Sequence, residues 1–271
     1  MIKFGTKAQT LKFISQYHSN FFIPEFEFFT YSSWKSNKKN IIDKLLNKFK
    51  GNLLAIRSSS IKEDSLLNSM AGIYDSELNV KANLKSLGMS IDKVFASYKK
   101  NLSENDQVIV QKMVQNVVIS GVAMTRNLQD GAPYYTISYD DLTGRTDTVT
   151  SGSQIHKTVL VHRLCPDVVI MSQRVRAVLR LIREIESVVG LAKPVDIEFA
   201  LDKNFIPHLL QVRPITKIDS WKKEIDTNVN SAIENAQETI KVLKNNDFNL
   251  IGEKTIYANM PDWNPAEIIG D

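Results

Sequence analysis

Two adjacent segments, residues 195–201 and 206–213, constrain the fold of this chain more than any other feature of its sequence. Apolar and polar side chains alternate along both segments, and the residues between them are typical of a turn. Because successive side chains of a strand point to opposite faces, the pattern predicts a β-hairpin with one apolar and one polar face. The polar face would collect four side chains from the two strands: Asp196, Glu198, Gln211 and Arg213.

This polar face carries the groups that a magnesium–phosphate site requires. Mg²⁺ prefers oxygen ligands, which Asp196 and Glu198 supply as carboxylates and Gln211 as an amide carbonyl. The guanidinium of Arg213 offers a forked set of donors for phosphate oxygens. The spacing is also compatible with an exposed sheet face that holds ordinary Asp–Arg and Glu–Gln cross-strand pairs.

Two further basic residues occupy positions that favour anions. Arg57 ends the apolar run of residues 53–57, which is typical of a buried strand, and a buried arginine is costly unless it faces an anion. A run of three serines begins directly afterwards at Ser58. Lys7 lies at the predicted start of a helix, where the helix dipole and the free amides favour negative charge. Each position, taken alone, is also compatible with a structural role.

Periodicity along the rest of the chain predicts an α/β (α+β) fold. Amphipathic patterns predict helices over residues 7–19, 40–50, 91–101, 172–189 and 219–246. Apolar or alternating runs predict strands, besides the hairpin, over residues 53–57, 107–114, 121–125, 133–140 and 145–163. Gly190 marks the end of the fourth helix.

Composition narrows the functional classes. The hydrophobic fraction of 43% is sufficient for a sizeable core, and the net charge of +4 comes from scattered lysines, not from a dense basic block. The single cysteine, Cys165, excludes an internal disulfide framework and a cysteine zinc site, and it fits a reducing compartment. No stretch has transmembrane length. We therefore expect a soluble cytoplasmic protein without a membrane or nucleic-acid partner.

Four ordered sequence blocks resemble the ATP-grasp nucleotide-binding domain of the phosphoenolpyruvate synthase and pyruvate phosphate dikinase family. The blocks lie between residues 5 and 216, and they read GTKA at 5–8, LAIRSSS at 54–60 with AGIYD at 71–75, VIVQKMV at 108–114 with GVAMTRN at 121–127, and DIEF at 196–199 with LQVRPIT at 210–216. The opening departs from the family's Gly-Gly-Lys-Gly, and the family's Gly-rich acidic block has no clear counterpart at residues 140–147.

The resemblance implies a role for each matched position. Lys7, Arg57 and Arg213 would act catalytically on the ATP phosphates, and Glu198 and Gln211 would hold Mg²⁺ with Asp196 close by. The segment 69–72 would form a lid over the phosphates. The remaining nucleotide contacts would come from Ser58 beside Arg57, Gly72 in the lid, an adenine hinge of Gln111, Lys112, Met113 and Val114, and Thr125 and Arg126 near the phosphates.

The resemblance also implies an organisation and a reaction. Residues 1–106 and 107–217 would form the two lobes of an ATP-grasp domain with the ATP cleft between them, and residues 218–271 a helical linker into the next domain. Phosphate would pass from Mg-ATP through a phosphohistidine on a further domain of the same polypeptide to a small acceptor. The tail around residues 256–270 resembles capsule-pathway L-glutamine kinases, which phosphorylate the glutamine amide nitrogen and convert ATP to AMP and phosphate.

Three other functions remain open at this point. Pyruvate could replace L-glutamine as the acceptor, as in phosphoenolpyruvate synthase. The domain could also sense nucleotide without catalysis, which the presence of Lys7, Arg57, Glu198, Gln211 and Arg213 argues against. The basic pI of about 8.9 would suit a nucleic-acid-binding protein, but no aromatic-basic motif supports that function.

Overall fold

The computed structural model describes residues 4–17, 20–60, 76–98, 102–142, 157–190, 194–215 and 223–243. The chain divides into two compact units, Met1–Asp219 and Ser220–Asp271. Nine strands and four α-helices are described in the first unit, and one helix in the second. No helix in these ranges combines the length and the apolar character that crossing a membrane requires.

The first sheet contains four antiparallel strands, in the spatial order β1-β4-β2-β3. Its strands are β1 (Phe26–Thr30), β2 (Leu53–Ser59), β3 (Ser76–Lys81) and β4 (Gln107–Lys112). Helices α2 (Tyr31–Phe49) and α3 (Leu84–Ser97) cover one face. Their apolar side chains pack with those of the sheet into a core that includes Trp34, Leu45, Phe49, Ile56, Ile91, Phe95 and Val110.

The second sheet contains five antiparallel strands, in the order β7-β6-β5-β8-β9. Its strands are β5 (Val117–Met124), β6 (Tyr134–Asp140), β7 (Lys157–His162), β8 (Val195–Asp202) and β9 (Pro207–Pro214). Helices α1 (Lys7–Ile14) and α4 (Gln173–Val189) contribute to its core, which includes Leu11, Ile14, Leu179, Ile182, Ile197, Phe199 and Val212. Helix α5 (Lys223–Leu243) belongs to the second unit.

Local sequence signals explain where these helices begin and end. Thr6, Thr30, Asn83 and Ser172 precede α1 to α4, and each side-chain oxygen accepts a hydrogen bond from the N–H three residues later. Such caps satisfy one of the free amides at a helix N-terminus. Gly190 follows α4 with a φ of 86°, a left-handed value that glycine adopts without strain.

Gly121 allows the central strand of the second sheet to approach its neighbour closely. A Cβ atom at this position would lie 2.3 Å from the Ser138 carbonyl oxygen and 2.8 Å from Tyr139 Cβ. Such distances are far inside van der Waals contact. The glycine of the GVAMTRN block is therefore required by packing between β5 and β6.

The predicted α/β class is confirmed, and the differences concern element bounds and pairing. Strands β1 and β3 were not predicted, and α2 begins at Tyr31, well before the predicted start at residue 40. Strand β4, which the sequence analysis grouped with the second lobe, pairs with β1 and β2 in the first sheet. The lobe boundaries themselves stay a prediction. Residues 145–156 of the predicted 145–163 strand lie outside the described residues.

Candidate functional site

Arg57 lies on the face of β2 that is turned away from helices α2 and α3. Its neighbours Ile56 and Ser58 are buried on the opposite face, where Ile56 joins the helical core. Strand alternation places Ser59 on the same face as Arg57. Ser58 is thus not brought together with Arg57, although the two residues are adjacent in sequence.

The β8–β9 hairpin has the single polar face that the sequence predicts, but Leu209, not Leu210, joins the apolar core. Asp196 lies opposite Arg213, and Glu198 lies opposite Gln211, so the four polar side chains share one face of the second sheet. The register shifts directly after Glu198, which leaves Leu210 as an extra residue on β9. Because of this bulge, Phe199 and Leu209 face each other in the core while the four polar side chains keep the opposite face.

The polar faces of the two sheets meet at an ion pair. Arg57 Nη1 lies 3.3 Å from Glu198 Oε2, and the two side chains are only 13% and 18% exposed. An arginine on a central strand is thereby neutralised by a carboxylate of the other sheet, as its burial requires. The contact joins two residues that the sequence analysis placed in one site from separate motifs.

Asp196 holds an unsatisfied oxygen within this site. Arg213 donates to Asp196 Oδ2 from both Nε (2.8 Å) and Nη2 (2.7 Å), while Oδ1 is buried without a hydrogen-bond partner. Burial raises the pKa of Asp196 above its ordinary value of 3.8; the nearby Glu198 carboxylate also raises it, whereas Arg213 acts in the opposite direction. A buried, unpaired carboxylate oxygen is the environment that a bound cation would stabilise.

The oxygen donors of this face fit Mg²⁺ as part of a larger ligand set. Two carboxylates and the Gln211 amide oxygen are hard ligands, and Mg²⁺ commonly uses one or two carboxylates together with substrate phosphates. Within the described ranges, no group of three or more His, Cys, Asp or Glu side chains is gathered as a self-sufficient metal site. The two carboxylates and the amide oxygen fit a Mg²⁺ ion that shares its coordination with phosphate oxygens.

The start of α1 is attached to the same face of the first sheet. The residues on both sides of Lys7 bind that sheet: the Thr6 hydroxyl donates to Gln107 Oε1 at 2.7 Å, and Ala8 N–H donates to Ser59 Oγ at 3.1 Å. Lys7 is thereby held next to the strand that carries Arg57. Ser59 and Gln107 were not singled out from sequence; the spacing of two residues between Arg57 and Ser59 was the available signal.

The predicted adenine hinge lies where the chain passes from one sheet to the other. Gln111 and Lys112 end β4, and β5 begins only five residues later at Val117, with Met113 and Val114 in the connection. Two backbone amides of this segment are already used: Lys112 N–H donates to Glu25 O and Met113 N–H to Leu53 O, both at 2.9 Å. The Gln111 side-chain amide nitrogen is buried without a partner.

Thr125 and Arg126, which were predicted near the phosphates, are both buried and hydrogen-bonded to backbone groups. Thr125 is fully buried, and its hydroxyl oxygen accepts a hydrogen bond from Val195 N–H at 2.8 Å. Arg126 is buried and donates to the Gly131 carbonyl at 3.0 Å. Gly72 and the predicted lid at residues 69–72 lie outside the described residues.

Residues 33–150 match the family model described as the pyruvate phosphate dikinase AMP/ATP-binding domain. No curated protein matches the chain in sequence. The family match covers somewhat less than half of the chain and supports an ATP-binding domain there, in keeping with the ATP-grasp type that the motifs resemble.

Solved structures of two kinds of enzyme superimpose on the chain at low identity. The D-alanine–D-alanine ligase from Coxiella burnetii gives a TM-score of 0.46 at 14% identity, over 87% of this chain and 59% of the ligase. The corresponding ligase from Helicobacter pylori gives 0.44 at 12%, over 86% and 60%. The N5-carboxyaminoimidazole synthetase from Staphylococcus aureus gives 0.44 at 11%, over 78% and 44%. This chain thus spans between 44% and 60% of the length of these proteins.

Proposed function

We propose that this chain is the ATP-binding catalytic part of a dikinase-like phosphotransferase and that it binds Mg-ATP between its two sheets. The observation that carries the proposal is the Arg57–Glu198 ion pair, in which a predicted phosphate ligand and a predicted metal ligand already contact each other. The AMP/ATP-binding family match over residues 33–150 supports the same nucleotide.

Each residue of the site has a separate task in this proposal. Arg57 and Lys7 neutralise charge on the phosphate oxygens, and Arg57 must exchange its bond to Glu198 for one to phosphate when the nucleotide binds. Arg213 keeps Asp196 in place through its two bonds to Oδ2. Catalysis would rest on positioning and on preorganised charge, as is general for phosphoryl transfer.

Glu198, Gln211 and Asp196 are the residues that would hold Mg²⁺. When bound, the ion would supply positive charge to the phosphate oxygens of the nucleotide. The unpartnered Asp196 Oδ1 is the feature of this chain that most directly supports such a ligand.

For the acceptor we propose the side-chain amide nitrogen of L-glutamine, reached through a phosphohistidine on another domain of the same polypeptide. One phosphoryl group would pass from ATP to the histidine nitrogen and then to the amide nitrogen. The other would be released to water as inorganic phosphate, which leaves AMP. The resemblance of residues 256–270 to glutamine kinases supports this acceptor. Pyruvate, which would yield phosphoenolpyruvate, is the alternative.

The nucleotide proposal is tested by thermal unfolding of the chain with Mg-ATP, with ATP and a chelator, and with duplex DNA. A ligand present at 100 times its Kd stabilises a fold by about 2.7 kcal/mol, so Mg-ATP should raise the Tm clearly. ATP with the chelator should raise it less, and DNA should have no effect. An equal response to ATP with and without magnesium would refute the metal site, and no response to either would refute the proposed function.

The acceptor proposal is tested with the full-length protein by measuring AMP release from Mg-ATP in the presence of L-glutamine or pyruvate. L-glutamine should stimulate AMP release, and phosphorus NMR of the product should give a phosphoramidate signal. A phosphoenolpyruvate signal with pyruvate would assign the alternative acceptor. AMP release that neither compound stimulates would contradict both acceptors.

A further inference from the structure

The ladder between β5 and β8 ends in an unusual pair of residues, Thr125 and Val195. Met124 and Asp196 form the last regular pair of this ladder. At the next position Thr125 N–H donates to the Val195 carbonyl at 3.0 Å, as in an ordinary sheet, but Val195 N–H donates to the Thr125 hydroxyl oxygen at 2.8 Å. The hydroxyl thus accepts the hydrogen bond that a strand carbonyl normally accepts.

The Thr125 carbonyl is held elsewhere by a charged network. Arg163 Nη1 donates to this carbonyl at 2.7 Å and to Glu186 Oε1 at 2.6 Å. The second carboxylate oxygen of Glu186 accepts from the Tyr135 hydroxyl at 2.8 Å, and the Arg163 guanidinium lies 4.9 Å from the centre of the Tyr135 ring. Glu186 is only 6% exposed, so α4 anchors this end of the sheet through a buried, fully paired carboxylate.

We infer that Thr125 is a positioning residue for the metal-binding side chains, with Arg163 and Glu186 holding it in place. This inference rests on the proposed function and assigns a task to a residue that the sequence motifs associate with the phosphates. Val195 directly precedes Asp196, so the two Thr125–Val195 hydrogen bonds fix the backbone from which the Asp196 side chain projects.

The consequence for metal binding follows from geometry. Mg²⁺ requires nearly ideal octahedral coordination at about 2.0–2.1 Å, so small displacements of one ligand weaken it. Residues that orient metal ligands without touching the metal typically change metal affinity by about 10- to 100-fold when they are mutated. Thr125 has its N–H, carbonyl and hydroxyl oxygen engaged in this way, and it has no exposed surface with which to contact a phosphate.

The test compares Thr125→Val with Thr125→Ser in the 271-residue chain. Valine has nearly the same shape but leaves Val195 N–H without an acceptor, whereas serine keeps the hydroxyl. The quantity to measure is the ratio of the ATP dissociation constants in chelator and in Mg²⁺. We expect Thr125→Val to lower this ratio by about tenfold, while the ATP dissociation constant in chelator stays unchanged. Thr125→Ser should keep the wild-type ratio.

Thr10→Val is the matched control, because the buried Thr10 hydroxyl has no hydrogen-bond partner and its loss should leave the ratio unchanged. If Thr125→Val does not fold, Glu186→Gln supplies the same measurement and should also lower the ratio. If the wild-type ratio is well above one and stays the same in Thr125→Val or in Glu186→Gln, the positioning role alone is overturned. A wild-type ratio of one would overturn the proposed metal site and, with it, this inference.

Discussion

Arg57 Nη1 and Glu198 Oε2 lie 3.3 Å apart, although the two residues are separated by 141 positions in the chain and belong to different sheets. Both side chains are largely buried, so each charge depends on the other for compensation. The pair therefore connects the two sheets. It also keeps an arginine and a carboxylate together where the proposed Mg-ATP would need one of each.

Replacement of Glu198 by glutamine should separate metal-dependent from metal-independent binding. Glu198→Gln keeps the size of the side chain but removes a charged oxygen ligand, so the affinity for Mg-ATP should fall at least about tenfold. ATP in chelator should bind as well as before or more tightly, because Arg57 is released from its carboxylate. Titration calorimetry measures both constants. Glu104→Gln, which removes an exposed partner of Lys35, is the control and should change neither.

The stability contributed by the Arg57–Glu198 pair can be isolated in a double-mutant cycle. Arg57→Met and Glu198→Gln should each destabilise the fold, because each leaves one buried charge without compensation. The double variant should recover part of this loss, with a coupling energy of about 0.5–3 kcal/mol from urea unfolding. A coupling energy within error of zero would mean that the pair contributes nothing to the attachment of the two sheets.

Asp196→Asn should raise stability at neutral pH. Burial raises the pKa of Asp196 in the folded state, so the protonated carboxyl stabilises the fold. This stabilisation is fully present below the ordinary pKa of 3.8 and is lost as the pH rises through the folded-state pKa. Asparagine carries no charge at any pH, and the variant should melt above the wild type at pH 7. The difference should disappear near and below pH 3.8 in thermal melts.

Asp202→Asn provides a control with the opposite sign. Burial alone would raise the pKa of Asp202, but hydrogen bonds from Ile206 N–H and Asn204 N–H outweigh it and lower the pKa. Its stabilisation is present above its ordinary value of 3.8 and is lost as the pH falls through the folded-state pKa. This variant should melt below the wild type at pH 7, and a melting point above the wild type would contradict the assignment of these bonds.

Tyr135 should ionise at unusually high pH. Burial, followed by the Glu186 carboxylate, raises the pKa of Tyr135 to about 12. The raised value stabilises the fold below the ordinary pKa of 10.0, and this stabilisation is lost as the pH rises towards 12. The difference in tyrosinate absorbance between the wild type and Tyr135→Phe should show one group that titrates near 12. A difference curve centred near 10 would contradict the burial of Tyr135 beside the Glu186 carboxylate.

Two glycine substitutions should have opposite effects on stability. Gly121→Ala would force a Cβ atom against the Ser138 carbonyl and Tyr139, and overpacking of this kind costs about 1–3 kcal/mol. Gly88→Ala, in α3, would meet only Ile42 Cδ1 at 3.9 Å and should gain about 0.5–1 kcal/mol from helix propensity. Urea unfolding of both variants tests the close approach of β5 and β6.

Much of the candidate site could be predicted because it depends on local patterns. A period of two residues was sufficient to place Asp196, Glu198, Gln211 and Arg213 on one face of a hairpin. The apolar run before Arg57 and the glycine after α4 likewise marked a buried strand and a helix end. In each case the chemistry of a few neighbouring residues determines the conformation.

The arrangement between distant residues was decided only by the tertiary structure. No local pattern shows that β4 pairs in the first sheet, that Arg57 contacts Glu198, or that the Thr125 hydroxyl accepts a hydrogen bond from Val195 N–H. The two contacts that involve side chains join residues that are 70 and 141 positions apart. They form because two apolar faces must be buried together, and that packing, not the nearby sequence, determines which polar groups meet.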